Sequence, residues 1–319
     1  MAALTTTSTN AAPVKNRYYD ELFLKVAESN LVHKQLGQIN RQIAAGQGGY
    51  GSGAVYWTRF ANLSTVTSGS GEGTATSAVT LSAVNVTGTT AQLDNAVSIS
   101  DILAYVSFGD IMKQAVERLA YNAGISIDTK VRTEIANSGT ILNAEAAAHY
   151  SSITTTGTLA INGVRKAVRS LNRNDAMTLA DGSFVAVIHP DQVYDLQGDT
   201  TTGGWIDANK YMSNDKLLNG EIGKLYGVRF LETSNGATIA GTTGYAASAT
   251  IYVASFFGRD AFGVTDLQNL KTYIKDFGSA GSADPTDKIA TAGWKCTFGA
   301  ATLNPNFFVN YRTVVSSTG

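Results

Sequence analysis

Between Ser107 and Asn137 apolar side chains recur at steps of three and four residues: Phe108, Ile111, Met112, Ala115, Leu119 and Ala123, then Ile127, Val131 and Ile135. That period predicts one long amphipathic helix. Ser107-Phe-Gly-Asp110 has the spacing of a capping box with Asp in the Glu position, and Asn137-Ser-Gly139 closes the run. About 30 residues at 1.5 Å each make a rod of about 45 Å, longer than a compact domain needs. A chain organised on such a rod is extended and flat. Gly124 is the one internal breaker; it costs about 1 kcal/mol relative to Ala and marks the place for a bend or hinge.

Upstream, Ala54-Val-Tyr-Trp-Thr-Arg-Phe60 alternates like a strand, and so does Ala78-Val-Thr-Leu-Ser-Ala-Val-Asn-Val-Thr87, with alternation resuming through Ala96–Ser100. Between the first two runs Thr67-Ser-Gly-Ser-Gly-Glu-Gly-Thr74 reads as a loop tip with almost nothing to bury. The glycine-rich stretch Gly46-Gln-Gly-Gly-Tyr-Gly-Ser-Gly53 joins this arm to the preceding chain, so Gly46, Gly48 and Gly49 are hinge candidates. An isolated two-stranded arm is not stable in water. Alone it would be an aggregation-prone edge; in an assembly it would clasp a neighbour.

The remaining elements follow in mixed order. Residues 1 to about 17 are Thr/Ser/Ala-rich and read as an extended arm, and Asp20 to Gln42 is helix-like. After a small-residue loop at 139–157 come a helix at Leu159–Asn172, a buried strand at Phe184–Ile188 and a Pro-started helix after His189. Asn219–Glu232 reads as turn then strand, Thr250–Ser255 as a buried strand, and Gly293–Gly299 and Phe307–Thr313 as two strands around Asn304-Pro305. The order predicts an α+β chain without a regular βαβ repeat.

Charge narrows the function. Hydrophobic residues make up 44% of the 319, so a large core is available, yet only 15% are charged. Average globular chains carry about 25%. With 24 basic and 25 acidic residues no global field draws the chain to nucleic acid or an anionic membrane. Low charge with 32 glycines fits a surface largely covered by copies of the same chain. The single Cys296 excludes an internal disulfide. The N-terminus lacks the pattern of a signal peptide and no run is long enough to span a membrane, so no membrane partner is expected.

No catalytic constellation emerges. His189-Pro-Asp191 offers a base beside an acid, but without a nucleophile motif it reads as structural hydrogen bonding. Cys296, in the alternating run Trp294–Phe298, reads as a buried inert thiol. There is no zinc spacing, no calcium loop, and neither glycine run has the Gly-Lys-Ser/Thr ending of a phosphate loop. No enzyme activity, cofactor or metal is expected. The sharpest charge feature is Arg165, Lys166, Arg169 and Arg173, whose three arginines at four-residue steps share one helix face. That face is solvated, pairs with an adjacent subunit, or touches DNA phosphates independently of sequence. Arg59 and Glu72, nearly the only charges on the arm, are natural partners for opposite charges on neighbours.

This order of elements resembles the major capsid proteins of tailed bacteriophages, the HK97-like fold: N-terminal arm, β-hairpin extended loop, long spine helix and central α/β domain. Local runs are similar to the branch of short-tailed N4-like phages: Phe184-Val-Ala-Val-Ile-His-Pro-Asp191 with Tyr194-Asp-Leu196, Asn219-Gly-Glu-Ile-Gly-Lys-Leu-Tyr-Gly-Val-Arg229 with Glu232-Thr233, Gly258-Arg-Asp-Ala-Phe-Gly263, Asp284-Pro-Thr-Asp287, Gly293-Trp-Lys295 and Asn304-Pro305. The set spans residues 18–312.

The resemblance implies an N-terminal arm and helix at 1–45, an extended loop at 46–95 and a peripheral domain with the spine helix at 96–157. It also implies a central domain at 158–270 and C-terminal strands returning to the peripheral domain at 271–319. It implies pentamers and hexamers forming an icosahedral shell around double-stranded DNA, assembled in a bacterial cytoplasm and found in the virion, with portal, decoration or scaffolding proteins as further partners. Some members of the fold crosslink covalently through a lysine on the extended loop. Residues 46–95 contain Arg59 and Glu72 but no lysine, so a non-covalent shell is expected. The short N-terminus leaves no room for a fused scaffold, so assembly would use a separate one or none. The alternative is a β-rich phage or bacterial adhesin binding a receptor; Thr, Ser, Gly and 14 tyrosines suit it, but a long mid-chain helix does not.

Overall fold

The computed structural model describes residues 20–27, 31–40, 54–69, 71–73, 75, 76, 78–107, 109–199, 205, 221–239, 250–279 and 284–316. The N-terminal arm to residue 19 and the hinge candidates Gly46, Gly48 and Gly49 lie outside the described residues.

Within the helix-like run Asp20–Gln42 the described residues form a first helix, α1, at 20–27, and the long helix is present as α3 (Ile111–Ala136), which runs unbroken through the buried Gly124. Leu119, Ala123, Ile127, Val131 and Ile135 are buried at successive four-residue steps, with Val116, Ala120 and Asp128 beside them. Its start differs from the expected one. Asp110 is the N-cap and accepts the Lys113 N–H at 3.1 Å, while the Ser107 hydroxyl bonds to the Gly109 carbonyl. Ahead of it lies a short helix the periodicity did not reveal, α2 (Asp101–Val106), capped by Ser100. At the other end Asn310 donates to the carbonyls of Ile135 and Ser138 at 2.9 and 2.6 Å, satisfying carbonyls that a helix C-terminus leaves unpaired.

Two sheets flank α3. In the first, β1 (Gln38–Ile39), β11 (Phe262–Lys275), β12 (Ile289–Thr302) and β4 (Ala91–Ser100) pair in that spatial order. Ala292, Trp294, Cys296 and Phe298 alternate from β12 into the core beneath the helix. The second sheet has the order β5 (Thr140–Asn143), β13 (Phe308–Thr313), β10 (Ile251–Phe257), β6 (Phe184–Ile188), β8 (Val228–Glu232) and β7 (Glu221–Leu225), with β9 (Ala237–Ile239) also on β10. β6 is buried throughout because it serves two cores. Phe184, Ala186 and Ile188 face α4 (Ile161–Arg173) and α5 (Pro190–Gly198), while Val185 and Val187 face the α3 side.

Several expectations need correction. The loop at 139–157 contains β5, paired in parallel with β13. Residues 219–232 were expected as turn then strand; 221–232 form a hairpin, turning at Tyr226-Gly227 with both residues at positive φ. β11 was not expected at all, and the boundary at residue 270 cuts it. Both C-terminal strands are expected to return to the peripheral domain with the spine helix; β12 lies beneath that helix, but β13 lies between β5 and β10 in the other sheet. The reason is that both faces of β13 are apolar sites: Val309 and Tyr311 fill one core, Phe308 the other.

Candidate interaction surfaces

The arm is built on β2 (Ala54–Phe60) and β3 (Ala83–Thr89), antiparallel, with Ala54 opposite Thr89 and Phe60 opposite Ala83. Its base is anchored on its own chain. Val55 and Trp57 are buried with Ala301, Leu303 and Val86. The Trp57 ring lies between two glycines: a Cβ on Gly88 or Gly263 would come within 2.6 or 2.5 Å of it. Beyond Phe60 the strand-like sequence continues but the pairing does not. Residues 78–82 were expected within the second strand, yet β3 begins only at Ala83, and the last bond outward runs from Ala61 N–H to the Ser82 carbonyl at 2.9 Å. The described residues of 61–82 are all exposed, including Leu63, Val66, Val79 and Leu81, with Val66 at 80%. No described apolar residue covers them. Arg59 and Glu72 are exposed and form no ion pair with a described residue.

A second apolar surface comes from α2. None of its six residues is buried, and Ile102, Tyr105 and Val106 are 68, 87 and 72% exposed. Asp101 N–H bonds to the Lys288 carbonyl, which fixes the helix at the end of β4 beside the exposed Ile289.

The basic face is assembled as the spacing predicts. Arg165, Lys166, Arg169 and Arg173 are exposed on α4, whose opposite side, Val164, Ala167 and Leu171, is buried against the sheet. The Arg165 guanidinium lies 6.0 Å from the Tyr226 ring centre. Neither Arg169 nor Arg173 makes an ion pair with a described residue.

The residues weighed as chemistry have structural roles. His189 caps α5, its ring accepting the Asp191 N–H while Gln192 bonds back to the His189 N–H. Burial, with Asp266 adding to it and Lys34 opposing, pushes the Cys296 thiol up to about 11, so it stays protonated and unreactive. His149 bonds to Ser151 two residues on. The polar cluster that sequence reading missed is buried. His33 donates its backbone N–H to Asp128 Oδ1 at 2.8 Å, its Nδ1 lies 2.7 Å from Asp128 Oδ2, and Asn235 Nδ2 donates to that same oxygen at 3.2 Å. Arg132, one turn along, donates to Asn235 Oδ1 at 2.7 Å. Three segments far apart in sequence are thereby pinned together. The one local signal was an acid standing on an otherwise apolar helix face.

No described helix is long and apolar enough to cross a membrane. No protein-family model matches the sequence, and no curated protein matches it. Solved structures do match. The capsid of Ralstonia phage GP4 superposes with a TM-score of 0.70 at 14% identity, over 92% of this chain and 91% of that one. The capsid of cyanophage Pam1 gives 0.63 at 16%, over 88% and 91%. A virus-like particle from Pyrococcus furiosus gives 0.54 at 10%, over 93% and 99%. The chain therefore has the HK97-like α+β capsid fold, matched over 92% of its length by the Ralstonia phage capsid. These matches do not single out the N4-like branch.

Proposed function

We propose that this chain is the major capsid protein of a tailed bacteriophage, a structural subunit that associates with copies of itself into a closed shell. The observation that carries the reading is the near-complete mutual coverage of the Ralstonia phage capsid, 92% of this chain and 91% of that one. The exposed apolar arm beyond Phe60 and the uncovered α2 supply the surfaces such a subunit must bury. An adhesin would not need them.

In this reading the subunits form pentamers and hexamers of an icosahedral shell around double-stranded DNA, assembled in the host cytoplasm and retained in the virion. Extended-loop, peripheral and central regions follow the boundaries at 46, 96 and 158, and the last boundary moves past Lys275 so that β11 stays whole. Gly46, Gly48 and Gly49 serve as the hinge of the arm and Gly124 as a bend of the spine between precursor and expanded shells. Arg59, Glu72 and the α4 arginines contact neighbours or packaged DNA. A separate scaffold, portal and decoration proteins complete the partners, and no chemistry is performed. Electron microscopy of the purified chain with light-scattering mass tests this. Closed shells or five- and six-membered rings are expected; a monodisperse monomer or trimer, even with scaffold candidates co-expressed, overturns it.

A further inference from the structure

Beside the arm lies a cleft of about 580 Å³. One wall is the consecutive run Trp57 to Asn62. Consecutive residues line a surface only where a strand shows its backbone edge, because side chains alternate between faces. The other wall carries Met177, Leu303 and Phe307, with Asn174, Asn304 and Asn306 around them.

Among the described residues that edge has no partner strand, since β2 pairs with β3 alone. The bond from Ala61 N–H to the Ser82 carbonyl makes 61 and 82 a hydrogen-bonded pair, so Arg59 and Trp57 also face inward to β3. Thr58 and Phe60 then direct their N–H and C=O groups outward. Tyr56 obeys the same alternation, its carbonyl accepting from Asn40 Nδ2 at 2.9 Å. Thr58 and Phe60 form a short open ladder facing the cleft.

The same chain exposes a strand without a ladder. Ala78-Val-Thr-Leu-Ser82 alternates apolar and polar residues and carries no charge. Val79, Thr80 and Leu81 make no hydrogen bond to a described residue, and Val79 and Leu81 are exposed. One unpaired edge and one unpaired strand-forming segment on each copy are complementary between copies, not within one.

We propose that residues 78–82 of a second copy add as a strand to the open edge of β2, seating Val79 and Leu81 against Met177, Leu303 and Phe307. The inference rests on the self-association reading. Backbone bonds to Thr58 and Phe60 supply the attraction and the apolar wall supplies the register. Because edge and segment are different surfaces, the contact is heterologous, and it closes into rings when the rotation between copies allows.

The test uses the full-length chain and a fluorescent peptide spanning residues 76–84. Thr58→Pro removes an outward N–H and spares every backbone bond to β3, because proline is tolerated where a strand's N–H faces away from its partner; it also gives up the side-chain bond from the Thr58 hydroxyl to Asn85 Oδ1. Saturable peptide binding is expected, at least tenfold weaker for Thr58→Pro and for a peptide carrying Val79→Asp and Leu81→Asp. Met177→Asp, on the exposed opposite wall, weakens it equally and replaces Thr58→Pro if that variant melts early. Undiminished binding by these variants, no peptide binding by a wild-type chain that remains monomeric, or a normal particle yield from the full-length chain carrying Val79→Asp and Leu81→Asp overturns the docking site. Peptide binding by a wild-type chain that remains monomeric keeps the docking site and overturns the self-association reading.

Discussion

The Nδ1 of His33 lies 2.7 Å from Oδ2 of Asp128, and both side chains are buried, Asp128 completely. A buried carboxylate is tolerated only when its charge and lone pairs are met. Here the His33 ring and backbone N–H and the Asn235 amide meet them, which explains an aspartate in the middle of an apolar helix face. His33→Ala removes one partner and leaves the charge. It is expected to cost about 3 kcal/mol, read as a lowered denaturant midpoint. Asp128→Leu in the His33→Ala background should recover part of the loss, because it removes the stranded charge.

Trp57 holds the arm base by filling the space left by two glycines. Trp57→Ala or Gly263→Val is expected to release β2 and β3 without unfolding the two main cores, which share no residue with the Trp57 cluster. Amide exchange at 54–60 and 83–89 should accelerate by at least about tenfold, equivalent to about 1.4 kcal/mol, while β6 and β10 keep their protection. Equal acceleration everywhere would show that the arm is not an independent unit.

What could be read from the sequence was what repeats locally. The four-residue stripe from Leu119 to Ile135 gave the spine, and the apolar runs at Phe184 and Ile251 gave two central strands. β11 escaped because Thr265-Asp-Leu-Gln-Asn-Leu-Lys271 breaks alternation, with register shifts at Asp266/Gln268 and Gln268/Lys271. Only its long pairing with β12 makes it a strand. The arm was overestimated for the opposite reason: Val79 and Leu81 have strand sequence, but no pairing partner among the described residues. The His33–Asp128 pair spans 95 residues, and its one local trace is the acid on the apolar face of α3, which does not name its partner. The α4 arginines were legible as a face, because helical spacing alone sets it.

Asp181 links the β7–β8 hairpin to the turn before β6. Desolvation raises its pKa, but bonds from Ser183 and Arg229 outweigh this and hold it at about 2, below its ordinary 3.8. A carboxylate with a lowered folded-state pKa stabilises the fold above its unfolded pKa, and that contribution fades as pH falls from about 4 to about 2. Its partly exposed site screens the gain to about 1 kcal/mol. Asp181→Asn should therefore be less stable than wild type at pH 6, with the difference closing by pH 2 in denaturant titrations.

Without a lysine in residues 46–95 the arm has no amine to attack a neighbour's amide. Particles boiled with reductant should run as a single band of 33.5 kDa on a denaturing gel. A ladder of multiples would require a covalent link from elsewhere in the chain.

Arg169 separates folding from association. It is exposed on α4, with the buried residues of that helix on the other side, and no described carboxylate pairs with it. Charge reversal therefore removes no ion pair with a described residue. Arg169→Glu should leave the melting of the isolated subunit within about 0.5 kcal/mol of wild type. The effect on particles then reports what the face meets. If a neighbour's carboxylate lies opposite, the substitution places like charges together, and particle yield falls in a way that added salt relieves. If DNA phosphates lie opposite, empty particles form normally and only DNA retention weakens, with a shallower dependence on salt. Normal particles with normal DNA content would leave the stripe a solvated face, and Arg165 and Arg173, on the same helix side, would then be expected to tolerate reversal as well.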